Sequence, residues 1–351
     1  MLGDIAPYRI DGPLRWGTVA AGTRGDDLDD LTLNAPQDEH PHPVRPEVPL
    51  WSENYAFVAY SPGAEVGLFV HLGRAPYNPD LWRGTAVALL PRGELAVTKS
   101  LGLARDPSAP ASGPLSAFCE RPLERWSLRH HGPAMRTSRA AASSALVVGA
   151  EPDHLEFEIS FDALHPIWDL TDWMRQQQWG HAHIEQAGAV RGTIAVGTER
   201  YAFEGTGFRD HTLGPRNFAN LNRTCWAHAE FPSGRVFCAL RIWSPTDDVV
   251  LNRGFVFDGS AMHDATPGEL PTIHTSDGAP HSFEVELQEA RIQGHVLHSI
   301  PFMLDEPNDL VIGADLSRPA TKVIVEAPCR FEWDGEVGYG WLERSRRIDQ
   351  L

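Results

Sequence analysis

Short runs of alternating apolar and polar residues constrain this chain more than any other feature. In LEFEISF (155–161), Leu155, Phe157, Ile159 and Phe161 share one face of a strand, and Glu156, Glu158 and Ser160 the other. This follows because successive side chains of a strand point to opposite sides. SFEVELQ (282–288) repeats the pattern with Phe283, Val285 and Leu287. Further runs, from YAFVAY and EVGLFVHL through RVFCALRIW to TKVIVEA, are separated by glycine- and proline-containing turns. Helical periodicity is nearly absent. Its best candidate, HPIWDLTDWMRQQ (165–177), is a short amphipathic piece. Many short strands with turn signals between them predict an all-β chain built from antiparallel barrels or sandwiches. The length of 351 residues accommodates two such bodies. The helical piece is expected to mark the crossing, giving an N-terminal β domain over 1–175 and a C-terminal one over 176–351. Residues 24–48, rich in Asp, His and Pro, read as a long loop.

Charge narrows the partners. Lys plus Arg is 30 against 47 for Asp plus Glu, a formal net charge of −17. Nucleic acid and anionic membrane surfaces both demand a basic face, so neither is an expected partner. No window approaches the roughly 18 uninterrupted apolar residues of a spanning helix. The start, MLGDIAPYRIDGP, has neither the basic nor the apolar segment of a secretion signal. Cys119, Cys225, Cys238 and Cys329 lie far apart without metal spacing. Free, mostly buried thiols in a soluble, cytoplasmic protein are therefore expected. Self-association into a homodimer stays open.

The chemistry concentrates in two stretches. GTGFRDHTLGPRNF (205–218) carries Arg209, Asp210, His211 and Arg216 between glycines and Pro215. The glycines permit a turn or close approach, and the proline stops a central strand. An acid here, partly desolvated and hydrogen-bonded by a neighbour, is suited to proton transfer, whereas a salt-bridged turn is the structural alternative. On an extended strand Asp210 and His211 face opposite ways, so only one of them faces a given cavity. WGHAHIEQAG (179–188) places His181, His183 and Glu185 on one strand face. That face reads either as polar lining of a pocket, as a metal site, or as an exposed edge. WSENY (51–55) aligns Trp51, Glu53 and Tyr55, and GYGWLERSRR (338–347) aligns Tyr339, Trp341 and Glu343. Most of the 11 tryptophans are expected in the core. A minority is expected to line an apolar cavity, where aromatic faces stabilise greasy or cationic groups. No nucleophile elbow, phosphate loop or dinucleotide fingerprint is present.

With these residues together, the chain resembles the bacterial two-domain lipocalin-like family that includes carotenoid 1,2-hydratase (hydroxyneurosporene synthase) and the AttH-like proteins. The resemblance rests on Glu185-Gln186 ahead of the segment Gly205, Gly207, Arg209, Asp210, His211, Gly214 and Arg216. WSENY and G-Y-G-x-x-E add weaker support, and the likeness runs from about residue 50. The chain departs at Leu213, where relatives carry Trp. The resemblance implies two lipocalin-like β domains side by side, with a hydrophobic cavity near their junction. It also implies acid-initiated addition of water to an isoprenoid double bond, without cofactor or metal. Related folds host cyclase and cycloaddition catalysts.

The expected function is thus a cofactor-independent lyase or isomerase acting on a hydrophobic, terpenoid-like molecule. Asp210 is the expected acid, with His211 or His183 orienting it or relaying its proton. Glu185 and Arg209 are expected to fix charge and position, and Trp51, Glu53, Tyr55, Gln186, Trp243 and Trp341 to line the substrate. A non-catalytic carrier of such a molecule is the alternative, and a metal enzyme using His181, His183 and Glu185 the third.

Overall fold

The computed structural model describes residue 28 and residues 31–175, 177–218, 221–305 and 309–351. The first residues, Trp16 and the start of the expected loop lie outside these. Residues 31–351 form one compact unit holding two large antiparallel sheets.

The first sheet contains β1 (Trp51–Ser61), β2 (Val66–Ala75), β3 (Asn78–Leu90), β4 (Glu94–Leu103), β5 (Ala111–Ser112), β6 (Leu115–Arg121), β7 (Arg125–Ser138), β8 (Glu151–Ala163), β9 (Trp168–Asp169), β10 (Ala182–Val196) and β11 (Glu199–Pro215). Its order runs β4-β3-β2-β1-β11-β10-β8-β7, and β4 pairs back onto β7. The sheet therefore closes into a barrel, which leaves these strands without a free edge. The second sheet contains β12 (Arg223–Glu230), β13 (Val236–Trp243), β14 (Val249–Phe257), β15 (Met262–Ala265), β16 (Ser282–Leu287), β17 (Ala290–Val296), β18 (Ile300–Asp305), β19 (Asp309–Ile312), β20 (Lys322–Trp333) and β21 (Glu336–Arg347). Its order is β15-β14-β13-β12-β21-β20-β17-β16, with β18 pairing β19 and the start of β20, an open half-barrel. The all-β expectation holds, and no described helix is long and apolar enough to cross a membrane.

The chain changes sheet between residues 215 and 223, not at the helical piece near 175. That piece condenses to one turn, Thr171–Met174, leading into β10. The physical reason is closure: β11 must sit between β1 and β10 to complete the barrel, so both late strands stay with the first sheet. At Gly205 the backbones press close together, since a Cβ there would lie 2.0 Å from the Tyr60 carbonyl oxygen. Gly214 takes φ +124°, a conformation side-chain-bearing residues avoid.

Alternation sorts side chains into three layers. Tyr55, Phe57, Ala59 and Val190 fill the barrel with Trp126 and Phe161. Cys225, Ala227, Phe237, Ala239 and Leu342 fill the half-barrel. Val58, Phe208, Trp226, Leu240, Phe302 and Trp341 form the apolar layer between the two sheets. The candidate site lies in that middle layer.

Candidate functional site

A cavity of about 170 Å³ opens between the sheets. Strand periodicity chooses its walls. From the first sheet, every second residue faces it: Asn54, Ala56 and Val58 of β1, His183 and Glu185 of β10, Asp210 and Thr212 of β11. From the second come Thr224 and Trp226, Leu240 and Ile242, Ile324 and Glu326, and Glu343 and Ser345. Phe69, Trp179 and Phe218 add aromatic faces.

Two carboxyl pairs meet across this space. Glu185 stands directly opposite Asp210 in the β10–β11 ladder, and Glu326 directly opposite Glu343 in the β20–β21 ladder. Asp210 lies deep in the protein yet is partly open to the cavity. Burial pushes its carboxyl up to about 7, Glu185 and Glu343 add to the rise, and His183 and Arg216 oppose it. Glu326 and Glu343 are hydrogen-bonded to each other. Burial raises the proton affinity of both, and the charge of Glu343 adds to the rise at Glu326 while Glu185 adds to that at Glu343, so the pair favours a shared proton. Trp341 Nε1 donates to Glu326 Oε2 at 2.6 Å, and the Thr224 hydroxyl to Glu343 Oε1 at 2.9 Å.

Glu185 is held rigidly. Its Oε2 accepts from Trp226 Nε1 and from the Cys238 thiol, both at 3.1 Å. Its Oε1 lies 3.1 Å from His183 Nε2, and His183 Nδ1 lies 2.7 Å from the Thr212 hydroxyl. With Nε2 carrying the hydrogen, Nδ1 accepts from Thr212. His71, also on the wall, is kept neutral: burial first, then Arg216, pulls its imidazole down to about 3.

The opposite faces of the same strands build a second network, inside the barrel. His211 Nε2 lies 3.1 Å from Glu53 Oε1, and its ring stacks on Tyr55 at 3.9 Å. Glu53 also accepts from His42, from the Tyr55 hydroxyl and from Arg74. Arg209 Nη1 and Nη2 donate to Glu39 Oε1 at 3.0 and 3.1 Å, and Nε donates to Gln186 at 2.9 Å. These contacts tie the segment ahead of β1 into the barrel end. Ligand atoms of His42, Glu53 and His211 lie within 4.8 Å of one another. Yet the Glu53 oxygens already have these donors, one of them a guanidinium, so Glu53 is satisfied as an acceptor, while the buried His211 Nδ1 has no partner among the described residues.

Residues 35–348 match the model of a family described as a domain of unknown function, DUF7064. The chain belongs to the DUF7064 family. No curated protein matches its sequence. Among solved structures, it is similar to an AttH of Nitrosomonas europaea at 16% identity and TM-score 0.60, covering 90% of this chain and 97% of that one. It is also similar to CghA at 11% identity and TM-score 0.50, covering 85% and 88%. CghA with Sch210972 gives 11% and 0.52, covering 88% and 95%. These likenesses establish an AttH-like, lipocalin-type fold.

In this DUF7064 protein, Asp210, His183 and Glu185 of the expected site meet in the cavity. His211 does not: it points into the barrel, so His183 rather than His211 is the imidazole near Asp210. Arg209, Gln186, Glu53 and Tyr55 also face the barrel interior, because they share its strand parity. Trp51 is buried at the start of β1, paired with Pro215, and Trp243 belongs to the half-barrel core under Arg223 and Arg241. Trp341 sits in the apolar layer between the sheets, beside the cavity rather than lining it, and acts on the wall through Glu326. His181 is buried beside Gly214, just before β10 starts, and does not line the cavity. Sequence reasoning missed Glu326 and the cavity tryptophans Trp179 and Trp226. Glu343 stood in a quoted alternating stretch, but nothing local identified its partner across the ladder.

Proposed function

We propose that this protein is a cofactor-independent acid–base lyase or isomerase acting on a hydrophobic, terpenoid-like molecule bound between the two sheets. One observation carries the reading: a carboxyl whose affinity for its proton is raised to about 7 faces a cavity walled by apolar and aromatic side chains. A group titrating near neutrality is matched to both giving and taking a proton. The π electrons of a substrate double bond take the Asp210 proton, a C–H bond forms, and the adjacent carbon becomes positive. Trp226, Trp179 and Phe69 present faces that stabilise the cation. Addition of water, with one of its protons passing to the Asp210 carboxylate, then yields an alcohol. Loss of a neighbouring proton to that carboxylate yields a shifted alkene. Attack by a second double bond closes a ring and moves the charge to a new carbon, which proton loss to the carboxylate discharges. Glu185, fixed by its three donors, holds charge beside Asp210, and the Glu326–Glu343 pair supplies a second proton reservoir.

CghA has been solved with Sch210972, which supports reading this fold as a small-molecule container. A carrier uses the same cavity without turnover. The free thiols of Cys225, Cys238 and Cys329, all buried, accord with the cytoplasmic location we include in the proposal. Incubation with acyclic isoprenoids in D₂O separates enzyme from carrier. The expected result is product bearing solvent deuterium on carbon. Asp210→Asn is expected to fold and bind but to lose turnover by about 10²-fold or more. Binding without turnover in the unaltered protein would leave the carrier, and a fully active Asn variant would remove Asp210 from the chemistry.

A further inference from the structure

Among the described residues, two cations on the cavity wall have no counter-ion in contact. Arg216 and Lys322 both line the space and both face the ring of Phe218. Arg216 Cζ is 4.6 Å from its centroid and Lys322 Nζ is 6.0 Å from it, so they stand at the same end. Arg216 Nη1 donates to the Trp179 carbonyl at 2.8 Å, but its buried Nε has no partner. Lys322 Nζ donates to the Phe218 carbonyl at 3.1 Å, which uses one of its three hydrogens. Burial pulls that ammonium down to about 8, with no carboxylate among the described residues offsetting it. Burial likewise lowers the Arg216 guanidinium to about 10, and Asp210 and Glu343 only partly restore it. Charged side chains are ordinarily paired when buried, because leaving one unpaired is strongly destabilising.

From this arrangement we infer that Arg216 and Lys322 receive the acid group of the ligand, so that the substrate is an apolar molecule carrying one carboxylate-like charge. The inference rests on the reading of the cavity as a ligand site. An anion beside Phe218 takes the free Nε hydrogen and an ammonium hydrogen in charge-assisted bonds. Negative charge on those wall carboxyls that remain ionised repels a doubly charged head such as a phosphate ester more than a singly charged one, which favours a ligand with a single charge. Leu240, Ile242, Leu304, Leu310 and Ile324 line the space for the body, which is therefore hydrocarbon.

Geranic acid and geraniol share one carbon skeleton and differ in this group alone. Calorimetric titration of the full chain at neutral pH is expected to show the acid binding about tenfold or more tighter than the alcohol. Lys322→Met removes the charge and keeps the stem. It is expected to erase that preference while geraniol affinity stays within about twofold, and Lys322→Arg is expected to retain the preference. Equal binding of the two probes to the unaltered protein, or a preference that survives Lys322→Met, overturns the inference and leaves the cavity reading standing. Failure of both probes to bind overturns the two together.

Discussion

Asp210 couples function to stability, and the coupling has a testable sign. Its folded carboxyl titrates near 7 against an ordinary value of 3.8. The folded state therefore holds a proton that the unfolded chain has released over that interval. Stability from this group is fully present below 3.8 and is lost as pH rises toward 7. Asp210→Asn is thus expected to raise the melting temperature more at pH 8 than at pH 4, measured by calorimetry at both. A gain independent of pH would mean the acid is not desolvated. The same titration governs turnover. Alkene protonation needs the acid form, so kcat/KM is expected to fall as pH rises through about 7. A rate rising across that range would instead assign Asp210 the role of base in the free enzyme.

At the scale of elements, the segment ahead of β1 is held by the barrel's buried charges rather than by its own structure. Glu39 accepts from both Arg209 nitrogens and from Trp126 Nε1. Burial pushes the Glu39 carboxyl up, yet Arg209 and Trp126 more than reverse it, leaving it below the ordinary range. Glu39→Gln strands the Arg209 charge, and a loss of about 3 kcal/mol follows from breaking one side of a buried pair. The measurement is the urea midpoint, and limited proteolysis is expected to cut first within 31–50. An unchanged midpoint would mean the segment is dispensable to the barrel. The motif containing Arg209 was legible in the sequence as a strand end with aimed side chains. Its alternation even stated that Asp210 and His211 part company. Missing was which face meets which body, since that depends on β11 pairing with β1, a strand some 150 residues earlier. Glu326 was invisible for the same reason: TKVIVEA reads as an ordinary strand, and its carboxyl acquires meaning only opposite Glu343. The domain crossing was misplaced because a helical turn is a local signal, whereas barrel closure is not.

At the scale of the molecule, the two sheets share one apolar layer in which residues of β1, β2, β11, β12, β13, β18 and β21 touch. Glu185 reinforces it by reaching from the first sheet to Trp226 and Cys238 of the second. Exposing that layer would uncover large aromatic surfaces on both bodies, so neither sheet is expected to survive the other's loss. Urea unfolding followed by far-ultraviolet circular dichroism and by tryptophan fluorescence should therefore trace a single coincident transition. Two separated steps would show that the halves stand independently. The wall formed by β11 also sets terms for change over evolutionary time. Its odd-numbered residues 209 and 211 serve the barrel, while the even-numbered 208, 210 and 212 serve the inter-sheet space. Inserting or deleting one residue would exchange the two sets wholesale, so this strand can diversify only by replacement, position by alternate position. A library confined to 54, 56, 58, 183 and 212 would accordingly reshape the ligand chamber while leaving the barrel's anchor intact, and a new specificity could be selected without first relearning how to fold.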